Sequence, residues 1–182
     1  MTTVSVKYTY QDLLTTPDDR NRYEIFEGDL VVTPAPSADH QIAVSNLHRL
    51  FSNFVAEQNR GRVLTAPMDV YFDEETVVEP DILFIAKDRL SILEKHRVNG
   101  APDLIVEVLS PSTEDRDRGF KFKRCAQEGV KEYWLVDPEK HFLEVYTLTS
   151  KGYELLGKFS GEQAVKSKVF SELEFPASEV WK

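Results

Sequence analysis

Residues 77–86 read VVEPDILFIA and residues 101–109 read APDLIVEVL. The runs 82–86 and 104–109 are apolar and rich in branched side chains, the composition of strands covered on both faces. Each carries a carboxylate where such a strand should have none: Asp81 opens the first and Glu107 sits inside the second. An ionised carboxylate in an apolar setting is costly unless it is paired or holds a metal. Residues 110–138, SPSTEDRDRGFKFKRCAQEGVKEYWLVDP, follow directly, with five basic residues between Arg116 and Arg124. Two acids beside a base are the groups that metal-assisted phosphodiester cleavage uses.

Asp81 and Glu107 are far apart in sequence, so a sheet has to bring them together. Neighbouring strands lie about 4.8 Å apart, close enough for side chains on one face to share a cation. The region offers carboxylates and carbonyls but no thiolate pair, which favours Mg²⁺ or Mn²⁺. The alternative is that Glu107 pairs with a buried lysine or arginine and that Asp81 lies at a solvated strand end.

The basic helix supplies the third group. Lys121 lies about 12 Å along it, and the chain first runs about 10 Å from Glu107 to the strand end. A helix folding back along the sheet therefore returns Lys121 level with Glu107. Lys123 is its rival, and a solvated basic face is the alternative for both. Asp115 and Asp117 read as helix-start charge.

Outward from this centre the chain reads as a mixed sheet flanked by helices, an α/β or α+β domain. Residues 8–15 form a short helix. Strands 23–26 and 30–33 make a hairpin turning at Gly28. A long helix spans 37–59, capped by Ser37 or Asp39 and stopped at Gly61. Strands follow at 62–66 and 68–72, with a turn at 73–76. Residues 87–100 are a charged, partly helical connection. A helix from a Ser112–Asp115 capping box runs to Glu128 and stops at Gly129. A strand at 132–136 precedes an antiparallel β tail at 142–148, 153–156 and 165–170. Tyr133 and Trp134 read as core.

The 182 residues are expected to form one domain, 1–182. No apolar run reaches the ~18 residues of a membrane span, no signal peptide is visible, and Cys125 is the single cysteine. A cytoplasmic protein is expected. The formal charge of −9 weighs against broad electrostatic binding of nucleic acid. No nucleophile elbow, glycine-rich phosphate loop or zinc spacing is present.

These motifs resemble the PD-(D/E)XK nuclease superfamily, with its restriction-endonuclease-like fold: Pro80-Asp81 is similar to its first motif and Glu107-Val108-Leu109 to its second. More narrowly, PDLIVEVLSPST, the DRG-K run, EGVKEYWLVDP and the N-terminal RYEIFEGDLVV resemble the Uma-two family of endonuclease-like proteins. Leu109 stands where the superfamily motif has its lysine. The resemblance implies that a helix lysine substitutes, and Lys121 is the residue that aligns. Cys125 stands where tyrosine is frequent. The same alignment brings Glu24 and His40 to the site, against the alternatives of a surface strand charge and a capping or packing histidine.

The expected function is a Mg²⁺- or Mn²⁺-dependent nuclease, DNA favoured, with Asp81 and Glu107 on the metal and Lys121 at the phosphate or the attacking water. A homodimer is expected, because the β tail has edges that can pair. The alternatives are a non-catalytic binding or assembly protein on the same fold and a hydrolase of small phosphorylated molecules.

Overall fold

A computed structural model describes residues 6–19 and 21–182. The element order is α1 (Tyr10–Leu13), β1 (Arg22–Phe26), β2 (Asp29–Thr33), α2 (Ala38–Glu57), β3 (Gly61–Thr65), β4 (Asp69–Asp73), β5 (Thr76–Val78) and β6 (Ile82–Ala86). A 3-10 turn (Lys87–Ile92) leads to β7 (Arg97–Asn99) and β8 (Leu104–Val108). Then come α3 (Glu114–Arg118), α4 (Phe120–Glu128), β9 (Glu132–Asp137), β10 (Phe142–Thr149), β11 (Gly152–Ser160) and a 3-10 turn (Ala177–Trp181).

Two sheets form. One has the order β2-β1-β5-β4-β7, the other β11-β10-β9-β8-β6-β3. In the larger sheet β8 lies antiparallel to β6 and parallel to β9, with α3 and α4 as the crossover. Every residue of β8 is buried, as its unbroken apolar run requires. Leu104, Val106 and Val108 face a core shared with α2, where Leu47, Phe51 and Trp134 are fully buried. The rings of Phe51 and Trp134 meet edge to face at 5.1 Å. Ile105 and Leu109 face a second core with Cys125, Val130 and Tyr133, under α4 and against the smaller sheet. Glu107, by strand alternation, shares that second face.

The mixed α/β architecture is the one read from the sequence, with several local differences. The N-terminal helix shortens to Tyr10–Leu13. Helix α2 begins as expected, with Ser37 accepting from the His40 amide at 3.2 Å, but it ends before Gly61, which already opens β3. A Cβ at Gly61 would lie 2.0 Å from the Ile85 carbonyl oxygen, so glycine is there for close strand approach. Thr76, expected to end a turn, opens the short strand 76–78, and residues 97–99, inside the expected connection, form another.

The basic helix is two helices broken at Gly119, where a Cβ would meet the Asp115 carbonyl at 2.5 Å. The Ser112–Asp115 capping box does not form. Ser110 and Thr113 instead satisfy each other, hydroxyl to hydroxyl at 3.0 Å. The expected strand at 165–170 is absent because Glu132, fully buried, takes its amides: Oε2 accepts from Lys168 and Val169 at 2.7 and 2.8 Å. The tail is thus the β10–β11 hairpin, continuing the sheet from β9.

Candidate active site

Register brings the two acids together. Ile82 pairs with Val106 and Leu83 with Ile105, so Asp81 takes the next position, opposite Glu107. The Val108 amide donates to Asp81 Oδ2 at 2.7 Å, which fixes the carboxylate against β8. His40 Nε2, from the first turn of α2, lies 3.2 Å from the same oxygen. Its Nδ1 is buried with no hydrogen-bond partner among the described residues. Arg22, at the start of β1, donates from Nη2 to Asp81 Oδ1 at 2.8 Å and holds Glu79 through Nε, also at 2.8 Å.

Helix α4 points Lys121 into this interior. Its Nζ is 2.7 Å from Glu107 Oε1, 2.9 Å from Glu24 Oε1 and 3.7 Å from Asp117 Oδ1. Lys121, Glu24, Glu107 and Asp117 are each only 1–2 % exposed. Lys123 points outward and is exposed, so the helix phase separates the two lysines. Of the sequence candidates, Asp81, Glu107, Lys121, Glu24 and His40 converge, and Lys123 does not join them.

Glu107 is ion-paired with a buried lysine, as one alternative had it, and it also lies opposite Asp81 across the sheet. Asp81 is not at a solvated strand end, being 2 % exposed. Asp117, read from sequence as helix-start charge, is buried beside Lys121. The signal was present, since residues four apart share a helix face. Arg22 and Glu79 were missed; an arginine opening a strand gives no sequence cue to the carboxylates it will meet.

The charges sort the titrations. Burial pushes the Asp81 carboxyl up, but the hydrogen bond from His40 and the charge of Arg22 outweigh it and lower the carboxyl to about 2. Glu107 goes the other way: burial drives its pKa well above the ordinary value, Lys121 offsets this in part, and Asp117, Asp81 and Glu24 add repulsion. Burial lowers Lys121, but the charges of Glu107, Glu24 and Asp117 prevail and hold it protonated.

Four buried carboxylates, Glu24, Asp81, Glu107 and Asp117, therefore face Lys121 and Arg22. The surplus is negative, the oxygens are hard donors, and a divalent cation such as Mg²⁺ or Mn²⁺ fits that chemistry. No complete cage of three or more His, Cys, Asp or Glu side chains is formed among the described residues. These groups floor a cavity of about 240 Å³ whose walls include Pro34, Pro36, Pro111 and Arg116.

A family model described as "Putative restriction endonuclease", Uma2, matches residues 9–178, nearly the whole chain. The chain belongs to the Uma2 family. Two Synechocystis proteins, the uncharacterized sll1609 and slr1290, are similar to it. The first is 27 % identical over 144 residues, covering 78 % of this chain and 80 % of that protein. The second is 26 % identical over 152 residues, covering 82 % and 78 %. A solved structure, "a putative nuclease" from Anabaena variabilis, superposes with a TM-score of 0.78 at 22 % identity, covering 95 % of this chain and 97 % of that one; the fold is shared. In this Uma2 chain Leu109 is a core residue in the cluster that holds Cys125. No helix among the described residues is long and apolar enough to cross a membrane.

Proposed function

We propose that the protein is a cytoplasmic, divalent-metal-dependent nuclease of PD-(D/E)XK type, with its lysine on α4 instead of β8. The observation that carries this reading is the convergence of Asp81, just before β6, and Glu107, on the adjacent β8, with Lys121 at 2.7 Å from Glu107. Asp81 and Glu107 would hold Mg²⁺ or Mn²⁺, which when bound polarises a phosphoryl oxygen and activates water at neutral pH. Lys121 presents a fixed positive charge to the phosphate as negative charge develops, in a site largely shielded from water. Glu24 and Asp117 keep that ammonium charged and in place. Arg22, His40 and the Val108 amide orient Asp81. The enzyme would act as a homodimer pairing through the open edge of β11, which light scattering at micromolar concentration tests.

The test of function is cleavage of DNA and RNA in Mg²⁺, Mn²⁺ and EDTA. Wild-type protein should cut in metal and not in EDTA, and Asp81→Asn should not cut. Cleavage that persists in EDTA overturns metal dependence. A second reading, hydrolysis of a small phosphorylated molecule, draws on the charge of −9; release of phosphate from mononucleotides would favour it.

A further inference from the structure

Asp81, Glu107 and Lys121 lie at the floor of a recess, each 1–2 % exposed. The mouth is framed by the turns 33–37 and 109–113, which carry Pro34, Pro36 and Pro111. Proline fixes φ, so these walls are stiff. The exposed charges at the lip are acidic, Asp39 and Glu139. Inside, the Arg116 guanidinium lies over the Phe26 ring, 5.7 Å from its centroid. Its Nη2 donates to Thr33 Oγ1 at 2.7 Å, it comes no nearer than 3.9 Å to Glu24, and its buried Nε has no hydrogen-bond partner among the described residues.

We infer that this recess receives an unpaired nucleotide, from a single strand or a strand end, and not a segment of intact duplex, with Arg116 binding its phosphate. The inference rests on the nuclease reading and adds the substrate class to it.

Depth is the first reason. A phosphodiester inside a duplex must leave the helix surface to reach groups this buried, and extruding a paired nucleotide costs a few kcal/mol that an unpaired strand does not incur. Size is the second. A cavity of about 240 Å³ lies below the ~300–1,000 Å³ typical of small-molecule sites and accepts part of one nucleotide. Charge is the third. Duplex DNA presents a phosphate charge about every 1.7 Å, and its flanking phosphates would meet Asp39 and Glu139 on a chain of net charge −9. A single strand can turn its neighbouring phosphates away from the lip.

The test is fluorescence anisotropy with a labelled single-stranded oligonucleotide and a labelled, loop-free, blunt-ended duplex of matched sequence, in Ca²⁺, across a salt series. The single strand should bind at least about tenfold more tightly. With about two phosphates engaged, log K should fall against log salt with a slope of about −1.4. Arg116→Ala and Arg116→Gln should each weaken single-strand binding about tenfold and make the slope shallower by about 0.7, with circular dichroism unchanged. Equal or tighter duplex binding, no binding of either, a slope steeper than about −4, or unaltered affinity in both Arg116 variants overturns the inference. Cleavage in Mn²⁺ is scored separately. Selective single-strand binding without any cleavage sinks the nuclease reading and leaves the recess assignment standing.

Discussion

Nζ of Lys121 lies 2.7 Å from Oε1 of Glu107, with both side chains sealed from solvent. The pair joins α4 to β8 and so couples the crossover helix to the central strand. Taking both charges out of water is expensive, and their attraction repays this only with further partners. Glu24, from the smaller sheet, supplies one at 2.9 Å. The site is therefore also the seam between the two sheets.

Removing Lys121 should be costly for that reason. A solvated basic face was the alternative for Lys121, and its burial excludes that. Lys121→Ala leaves Glu24, Glu107 and Asp117 without their shared cation and should destabilise by about 3–5 kcal/mol. Lys123→Ala, on the exposed face, should stay within about 0.5 kcal/mol. Urea unfolding measures both, and cleavage by whatever Lys121→Ala protein remains folded should be absent. Equal stability of the two variants would contradict the buried placement.

Stability should fall as pH rises from mild acid, in the absence of metal. Burial, aided by repulsion from Glu24, lifts the Asp69 carboxyl to about 6. Burial, partly offset by Arg22, lifts Glu79 to about 7. Both bind protons more tightly folded than unfolded, so their contribution is full below about pH 4 and is lost as pH rises through about 6 and 7. Asp81 has the opposite sign: its contribution is present above the ordinary carboxylate value and is lost as pH falls toward 2. The wild type should be more stable near about pH 5 than near about pH 8, by roughly 1 kcal/mol for each raised group after allowance for solvent screening. Asp69→Asn with Glu79→Gln should flatten the profile. A wild type equally stable at both pH values would refute the assignment.

Gly119 should tolerate no side chain. Its Cβ would lie 2.5 Å from the Asp115 carbonyl oxygen, and the break it permits sets the angle between Asp117 on α3 and Lys121 on α4. Gly119→Ala should cost about 1–3 kcal/mol and depress cleavage more than metal affinity. A variant with wild-type melting temperature and activity would show that the junction relaxes freely.

The sequence made the centre of the site legible and its surroundings less so. Asp81 and Glu107 stood out because a carboxylate violates an apolar strand, and Lys121 because helix phase is local arithmetic. Glu24 and His40 came only through family resemblance, since neither breaks a local rule. Arg22 and Glu79 had no such signal, because their roles depend on partners that only the meeting of the two sheets brings; the i, i+4 spacing of Asp117 and Lys121 was there to be read. The strand expected at 165–170 fell to the same kind of long-range effect: Glu132, from a distant strand, captures the amides that strand pairing would have used. The short strands β5 and β7 are three residues each, too short for periodicity to register.

The central claim is that Asp81 and Glu107 jointly hold a divalent cation. Calorimetric titration of Mn²⁺ into metal-free wild type, Asp81→Asn and Glu107→Gln tests it most directly. Each substitution keeps the shape of the side chain it replaces, and circular dichroism should show that both proteins remain folded. The account predicts one Mn²⁺ site per chain in the wild type, with affinity reduced at least about tenfold in each variant. Unchanged Mn²⁺ affinity in both variants would contradict it.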